Sequence, residues 1–197
     1  MIHQNFVFIG IILQSIGGIG YLIDTVTGKV QPNRVSWFLW SLAPLIAFYA
    51  QIRQGVGNEA LVTFIVGFEP LIVLIATFFN KKAQWKIQKL DIICGILSLL
   101  GIALWLVTKI GNVAILFCIL ADGLAAVPTI VKSWHEPESE SSLIYFMGFI
   151  NSIIGLLVIR NWQFENYAFL LYLTAVGLLL FVLIQFKIGA SFKKMLQ

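Results

Sequence analysis

The fold class that this sequence predicts is an all-α integral membrane bundle. It has seven transmembrane helices, ordered as two parallel three-helix repeats joined by a linker helix. Three observations predict it. The 197 residues are 59% hydrophobic and only 11% charged, against about 25% charged in a soluble domain, so too little polar surface exists to wrap one apolar core in water. Apolar stretches close to the roughly 20 residues that span a bilayer recur seven times along the chain. The basic residues concentrate in alternate links between those stretches.

The predicted spans are 5–24, 35–54, 60–79, 90–109, 112–132, 142–160 and 167–186. The first follows MIHQNF, which lacks the basic n-region of a signal peptide, and it ends in a polar turn with no small-residue cleavage pattern. That helix is therefore expected to be retained. Residues 55–59 (GVGNE) join the second span to the third, and Ile110 and Gly111 join the fourth to the fifth. Such short, turn-rich links make sequential helices antiparallel neighbours. Periodicity separates lipid-facing from buried residues poorly in runs this apolar, so the helix count is firmer than any face assignment. The chain accordingly divides into a first three-helix half (1–86), a linker helix (87–111), and a second three-helix half with a cytoplasmic tail (112–197).

Orientation follows from the cations. One side collects Lys29, Arg34, Lys81, Lys82, Lys86, Lys89, Lys132, Lys187, Lys193 and Lys194, and the other only Arg53, Lys109 and Arg160. The positive-inside rule then places the C-terminus in the cytoplasm and the N-terminus outside. The net charge of +4 reports this orientation and contact with anionic lipid, and no nucleic-acid partner is expected. Three helices, one extra and three more give halves of the same orientation, as in parallel-repeat transporters. Laying residue n over n+105 pairs Gly18 with Gly123, Val26 with Val131, Pro32 with Pro137, Ser36 with Ser141, and Trp40 with Tyr145. With so few identities, the repeat rests on helix order and link length. Trp85, Trp105, Trp134 and Trp162 near span ends read as headgroup anchors, and Cys94 and Cys118 as small core residues without a disulfide framework.

Polar residues inside the spans need a reason. Glu69 sits mid-span beside Pro70, and an ionised carboxylate at that depth costs about 2.5–3.5 kcal/mol on insertion scales, which argues against a lipid-facing position. It reads either as a proton-coupling group or substrate counter-charge, or as a protonated acid bonded to a neighbouring helix. Asp122 in the fifth span takes the same two readings. Asp24 and Asp91, at span ends, read as solvated charges. Asn151, Gln14 and Thr174 are the other mid-depth polar positions, and each could instead be interhelical glue. Five polar groups from five helices at one depth form a layer near the midplane, where repeat transporters bind substrate. Trp37 and Trp40 lie slightly below it, placed to stack on a sugar ring or nucleobase, to form the cytoplasmic gate, or simply to pack in the bundle. Pro44, Pro70 and Pro128 each remove a backbone donor and read as hinges or static kinks. Glu136, Glu138 and Glu140 read as a solvated acidic turn, or as partners of a Lys or Arg on another inner loop when the inner gate closes.

Pro128 and Thr129 near the cytoplasmic end of the fifth span are followed by Lys132, a polar turn, and Ser141 and Ser142 opening the sixth. This resembles the PQ-loop/SWEET (MtN3) superfamily of 3+1+3 transporters. There, a proline–glutamine pair precedes basic residues and a serine at the next helix start. The pair here reads Pro-Thr, and the first half has Ile23 and Asp24 with no proline at the equivalent place. The likeness covers the whole chain as topology and this hairpin as motif. A related group, the PnuC-like nicotinamide riboside transporters, has tryptophan-rich inner helices to which Trp37 and Trp40 are similar. The resemblance implies alternating-access transport of a small organic solute without identifying it. It also implies substrate contact by Asn151, because asparagine in the family's last helices often contacts substrate. The solute is expected to be sugar-like or nucleoside-like, or cationic where Glu69 and Asp122 serve as fixed counter-charges, and the protein a monomer or homo-oligomer in the lipid bilayer.

Gln14, Trp40, Glu69, Asp122, Asn151 and Thr174 are thus the expected substrate site. Glu69 and Asp122 are the expected coupling groups, and Trp37, Pro44, Pro70, Pro128 and Ser141 the hinge and gate. No nucleophile–base pair, metal-ligand spacing or phosphate loop occurs, and His3 and His135 are isolated near the membrane edges. An enzyme, a cofactor and a metal are not expected. The competing class is a seven-helix receptor or interaction protein that binds a ligand without transporting it.

Overall fold

In hydrocarbon every backbone N–H and C=O must be satisfied within its own segment, which leaves helices for a chain this apolar. The computed structural model describes residues 2–80, 85–108 and 111–195, excepting the side chains of 101, 102, 104–108, 111, 114, 190 and 193–195. It is all-helical, with no strand among the described residues. The helices are α1 (Phe6–Thr27), α2 (Arg34–Arg53), α3 (Ala60–Ala76), α4 (Lys89–Thr108), α5 (Gly111–His135), α6 (Ser142–Val158), α7 (Phe164–Gln185) and α8 (Ile188–Met195). A 3-10 turn at Pro137–Ser139 joins α5 to α6. Helices α1, α2 and α7, with Ile115–His135 of α5, are long and apolar enough to cross a bilayer, whereas α3 and α6 are apolar but shorter. These helices make the chain an integral membrane protein. Each predicted span falls on a helix, and α8 is an addition that hydropathy did not signal. Lys81, Lys82, Lys109 and Ile110, with the side chains of Trp105, Lys193 and Lys194, lie outside the described residues.

Local chemistry fixes the helix ends at the side bearing Lys29, Lys132 and Lys187. Gly28, in the left-handed region (φ 76°), closes α1 by donating its N–H to the carbonyls of Asp24 and Thr25. Asn33 starts α2, its Oδ1 accepting from the N–H of Val35 (3.1 Å) and Ser36 (3.4 Å). Arg34 then caps the end of α3. Its Nε donates to Thr77 Oγ1 (3.0 Å) and a terminal nitrogen to the Thr77 carbonyl (2.6 Å), while the guanidinium lies over the Phe78 ring. Asp91 is 2% exposed and its Oδ2 accepts from the Gln88 N–H (2.7 Å) at the start of α4. It is a buried helix cap, which corrects the solvated reading. Asp24 is partly exposed and pairs loosely with Lys29 (3.6 Å). Both cysteines are buried and unpaired.

The helices pack as a ring. Helix α1 touches α3 and α6, α2 touches α3 and α5, and α7 touches α5 and α6, so the order around the ring is α1, α3, α2, α5, α7, α6. Helix α4 lies outside it against α5 and α2, with Ser98 Oγ 2.8 Å from the carbonyls of both Cys94 and Ala121. In α1 the buried positions Gly10, Gln14, Gly17, Gly18 and Tyr21 share one stripe at helical spacing, while Phe8, Ile12, Ile16, Ile19 and Ile23 are exposed on the others. Small residues in that stripe let backbones approach closely. A Cβ at Gly17 would lie 3.1 Å from the Ile144 Cα and 3.0 Å from the Met147 Cβ.

Gly17→Leu therefore pries α1 from α6 and is expected to cost about 1–3 kcal/mol, the usual penalty of overpacking. Gly20→Leu, whose added atom meets only a Leu143 methyl at 3.7 Å, should cost distinctly less. Thermal unfolding of the two purified variants in detergent reads the difference.

Candidate functional site

A cavity of about 100 Å³ lies within the ring, lined from α1, α2, α3, α5, α6 and α7. Gln14, Glu69, Asp122 and Ser152 are polar side chains of its lining. Gln14 of α1 donates from Nε2 to Glu69 Oε2 of α3 (2.8 Å), and Ser15 stands beside the same carboxyl. Gly18 makes room for this contact, because a Cβ there would sit 2.6 Å from the Glu69 Cδ. Across the cavity, Asp122 of α5 accepts at Oδ2 from the Tyr172 hydroxyl of α7 (2.7 Å). Three buried acceptor atoms, Gln14 Oε1, Glu69 Oε1 and Asp122 Oδ1, make no hydrogen bond. Trp37, Trp40 and Tyr145 supply the aromatic wall. Trp40 meets Trp37 (ring centroids 5.8 Å) and Tyr145 (6.2 Å) edge to face.

Toward the Lys132 end the cavity gives way to a plug. Lys132 and Glu140 are buried, with side chains 1% and 0% exposed and Nζ 2.6 Å from Oε1. Two tyrosines complete the carboxylate: Tyr21 of α1 (2.7 Å) and Tyr145 of α6 (3.1 Å) both donate to Oε2. Lys132 also donates to the Gln31 carbonyl and lies under the Trp85 ring, 4.9 Å from its centroid. Tyr21 leans on Trp37 with centroids 4.6 Å apart. The Gln31 N–H donates to the Ser139 carbonyl (3.0 Å), tying the α1–α2 link to the α5–α6 link. At the opposite end of the ring Val7, Val62, Val158, Ile159 and Leu170 form an apolar cluster, beside which Gln51 of α2 donates to the Glu165 carbonyl of α7 (3.3 Å) and Glu59, Thr63 and Asn166 are also buried.

The sequence-derived residues divide on this geometry. Gln14, Trp37, Trp40, Glu69, Pro70 and Asp122 line the cavity together. Asn151 does not. It is fully buried between α6 and α1, where a Cβ at Gly10 would meet its Oδ1, and neither of its amide atoms has a partner. The Thr174 hydroxyl donates to the Leu170 carbonyl of its own helix (2.8 Å). Pro44 packs against Gly67 of α3, and α2, α3 and α5 all continue through their prolines. Ser141 precedes α6 without capping it and borders a more polar depression at the Lys187 surface.

One residue of the acidic turn departs from the solvated reading. Glu136 and Glu138 are exposed, and Lys187, donating to Glu138, holds that carboxyl below the usual carboxylate range. Glu140 is buried because Lys132 and two phenols satisfy it. Trp85 likewise covers Lys132 in addition to its place near a span end. Sequence reasoning missed Tyr21, Tyr172 and the Lys132–Glu140 pair. Their spacing, eight residues across a turn containing Pro137, was the one available signal. Comparison with protein-family models, curated proteins and solved structures gave no significant match.

Removing one member of a buried pair strands the other charge. Glu140→Leu and Lys132→Met are each expected to destabilise the protein by about 3–5 kcal/mol, and the double substitution by much less than their sum. Unfolding of the three variants checks this cycle.

Proposed function

We propose that this chain is a transporter of a small organic solute that works by alternating access. It crosses the membrane with seven helices in two parallel three-helix halves, N-terminus outside and C-terminus in the cytoplasm. The helix order supports the repeat. Exchanging the halves maps α1–α3 onto α5–α7, α2–α3 onto α6–α7, and α1–α6 onto α5–α2, so each ring contact has its counterpart. The PQ-loop/SWEET likeness in the Pro128–Ser142 hairpin points the same way.

One observation carries the reading: the cavity in the ring, largely apolar but holding two carboxyl groups, is stopped at the basic end by a plug assembled from both halves. Tyr21 and Gln31 come from the first, and Lys132, Glu140 and Tyr145 from the second. A buried ion pair suits a gate. Closed, its charges satisfy each other; opened at the membrane edge, water solvates both, so neither state strands a charge. The far end holds no such ion pair among the described residues, and Pro44, Pro70 and Pro128 loosen the helices that would rock between the two states. Trp40 forms a face for the solute, and Glu69 and Asp122 are the groups whose protonation or pairing would couple to it.

The test is access to the cavity from each side. In a background of Cys94→Ala and Cys118→Ala, Ser152→Cys places a thiol on the cavity wall. Impermeant thiol reagents are expected to label it in both right-side-out and inside-out vesicles, with Glu140→Gln speeding labelling from the Lys132 side. Labelling confined to one face, together with no counterflow of sugars, nucleosides or amines in proteoliposomes, would mark a ligand-binding receptor instead. For a solute that does exchange, Trp40→Ala should cut counterflow roughly tenfold or more, the equivalent of about 1.4 kcal/mol of lost contact.

A further inference from the structure

From the balance of donors and acceptors around the cavity, we infer that its ligand is a small organic cation: a primary amine carrying a flat or apolar body. This rests on the cavity being the ligand site, but not on the protein moving that ligand across the membrane.

Among the described cavity-lining side chains, the unpartnered acceptors are the buried Gln14 Oε1, Glu69 Oε1 and Asp122 Oδ1, two of them on carboxyl groups, and the unpartnered donors are the indole N–H groups of Trp37 and Trp40. The other lining donors are committed: the Tyr145 hydroxyl to Glu140 and the Ser152 hydroxyl to the Gly148 carbonyl. Two more acceptors follow from the prolines. The N–H groups that Pro44 and Pro70 lack would have bonded the carbonyls of Trp40 and Val66, both residues of the cavity wall.

This inventory discriminates between ligand classes. An ammonium has three donors and no acceptor, so it can meet these atoms without leaving any polar group of its own unpaired. A sugar hydroxyl also brings lone pairs, for which the described wall offers only the two indole N–H groups, and unmet buried groups are costly. An anion would face two carboxyl groups with no basic side chain among the described lining residues, because Lys132 is spent on Glu140 and Gln31. The aromatic wall of Trp40 and Trp37 suits the remaining body of such a cation, through the ring faces and through apolar contact.

The test is binding to the purified full chain in detergent, read by tryptophan fluorescence and calorimetry, with three probes of nearly one shape: benzylamine, benzyl alcohol and benzoate. Benzylamine is expected to bind at least roughly tenfold more tightly than the other two. Asp122→Asn and Glu69→Gln should each weaken it roughly ten- to hundredfold, the worth of a hydrogen bond to a charged group. Glu136→Gln, on the exposed turn, should bind as the wild type does. Circular dichroism confirms that each variant is folded; if either carboxyl variant is not, added benzylamine must still raise the wild type's melting temperature while benzyl alcohol leaves it unchanged. Benzyl alcohol or benzoate binding as well as benzylamine overturns the inference, as does the absence of any benzylamine binding. Selective amine binding without counterflow would sink the transport reading and leave this one standing.

Discussion

The contact between Lys132 and Glu140 sets the arrangement of one whole end of the molecule. A cation and an anion with 1% and 0% side-chain exposure are tolerable in a membrane protein only if every lone pair and proton finds a partner. Meeting that demand draws Tyr21 from α1, Tyr145 from α6, the Gln31 carbonyl from the first link and the Trp85 ring from the approach to α4. The aromatic stack of Tyr21, Trp37 and Trp40 is then held against the pair, which is why the cavity stops where it does. Helix ends that share no sequence are brought into register by one electrostatic requirement.

Above this level the polar interior follows a different rule. At the plug the charges are satisfied several times over, whereas the cavity keeps each carboxyl with one oxygen held and one free. Glu69 is steadied by Gln14 and Asp122 by Tyr172, so both stay positioned without being saturated. That division fits a protein with a part that locks and a part that receives. It also explains the glycines: Gly18 exists where Glu69 must approach α1, and Gly17 where α1 must approach the α6 backbone.

The helix positions were legible in the sequence, because hydropathy runs constrain them directly. The turn-like links join packed neighbours at α2–α3 and α4–α5, but α1 and α2, like α5 and α6, are not neighbours in the ring. All seven spans fall on helices, since few conformations satisfy an apolar backbone in lipid. The residues at cavity depth were legible for a similar reason: a carboxyl in mid-span has nowhere to go but inward, and Glu69 and Asp122 do line one cavity. Depth alone could not decide rotation. Asn151 lies at the same level yet turns into the α1–α6 seam, and Thr174 bonds its own helix. Nor could it find Glu140, whose neighbours Glu136 and Glu138 are exposed; only a lysine eight residues away and two distant tyrosines distinguish it. Trp40 and Tyr145, from α2 and α6, meet edge to face across the ring with centroids 6.2 Å apart.

The single inward stripe of α1 has a consequence for how the protein is made. With its remaining faces largely apolar, α1 can rest alone in lipid as soon as it is synthesised, carrying Gln14 and Ser15 as its mid-depth polar side chains. When α3 follows, 55 residues separate Glu69 from Gln14, and the receiving surface, glycine notch included, is already in the bilayer. Asp122 has no such reception. Its partner Tyr172 is 50 residues further on and emerges later. The first half of the chain can therefore settle its carboxyl during synthesis, while the second must hold an unsettled one until α7 arrives. Assembly has a direction, and its late, exposed step belongs to α5.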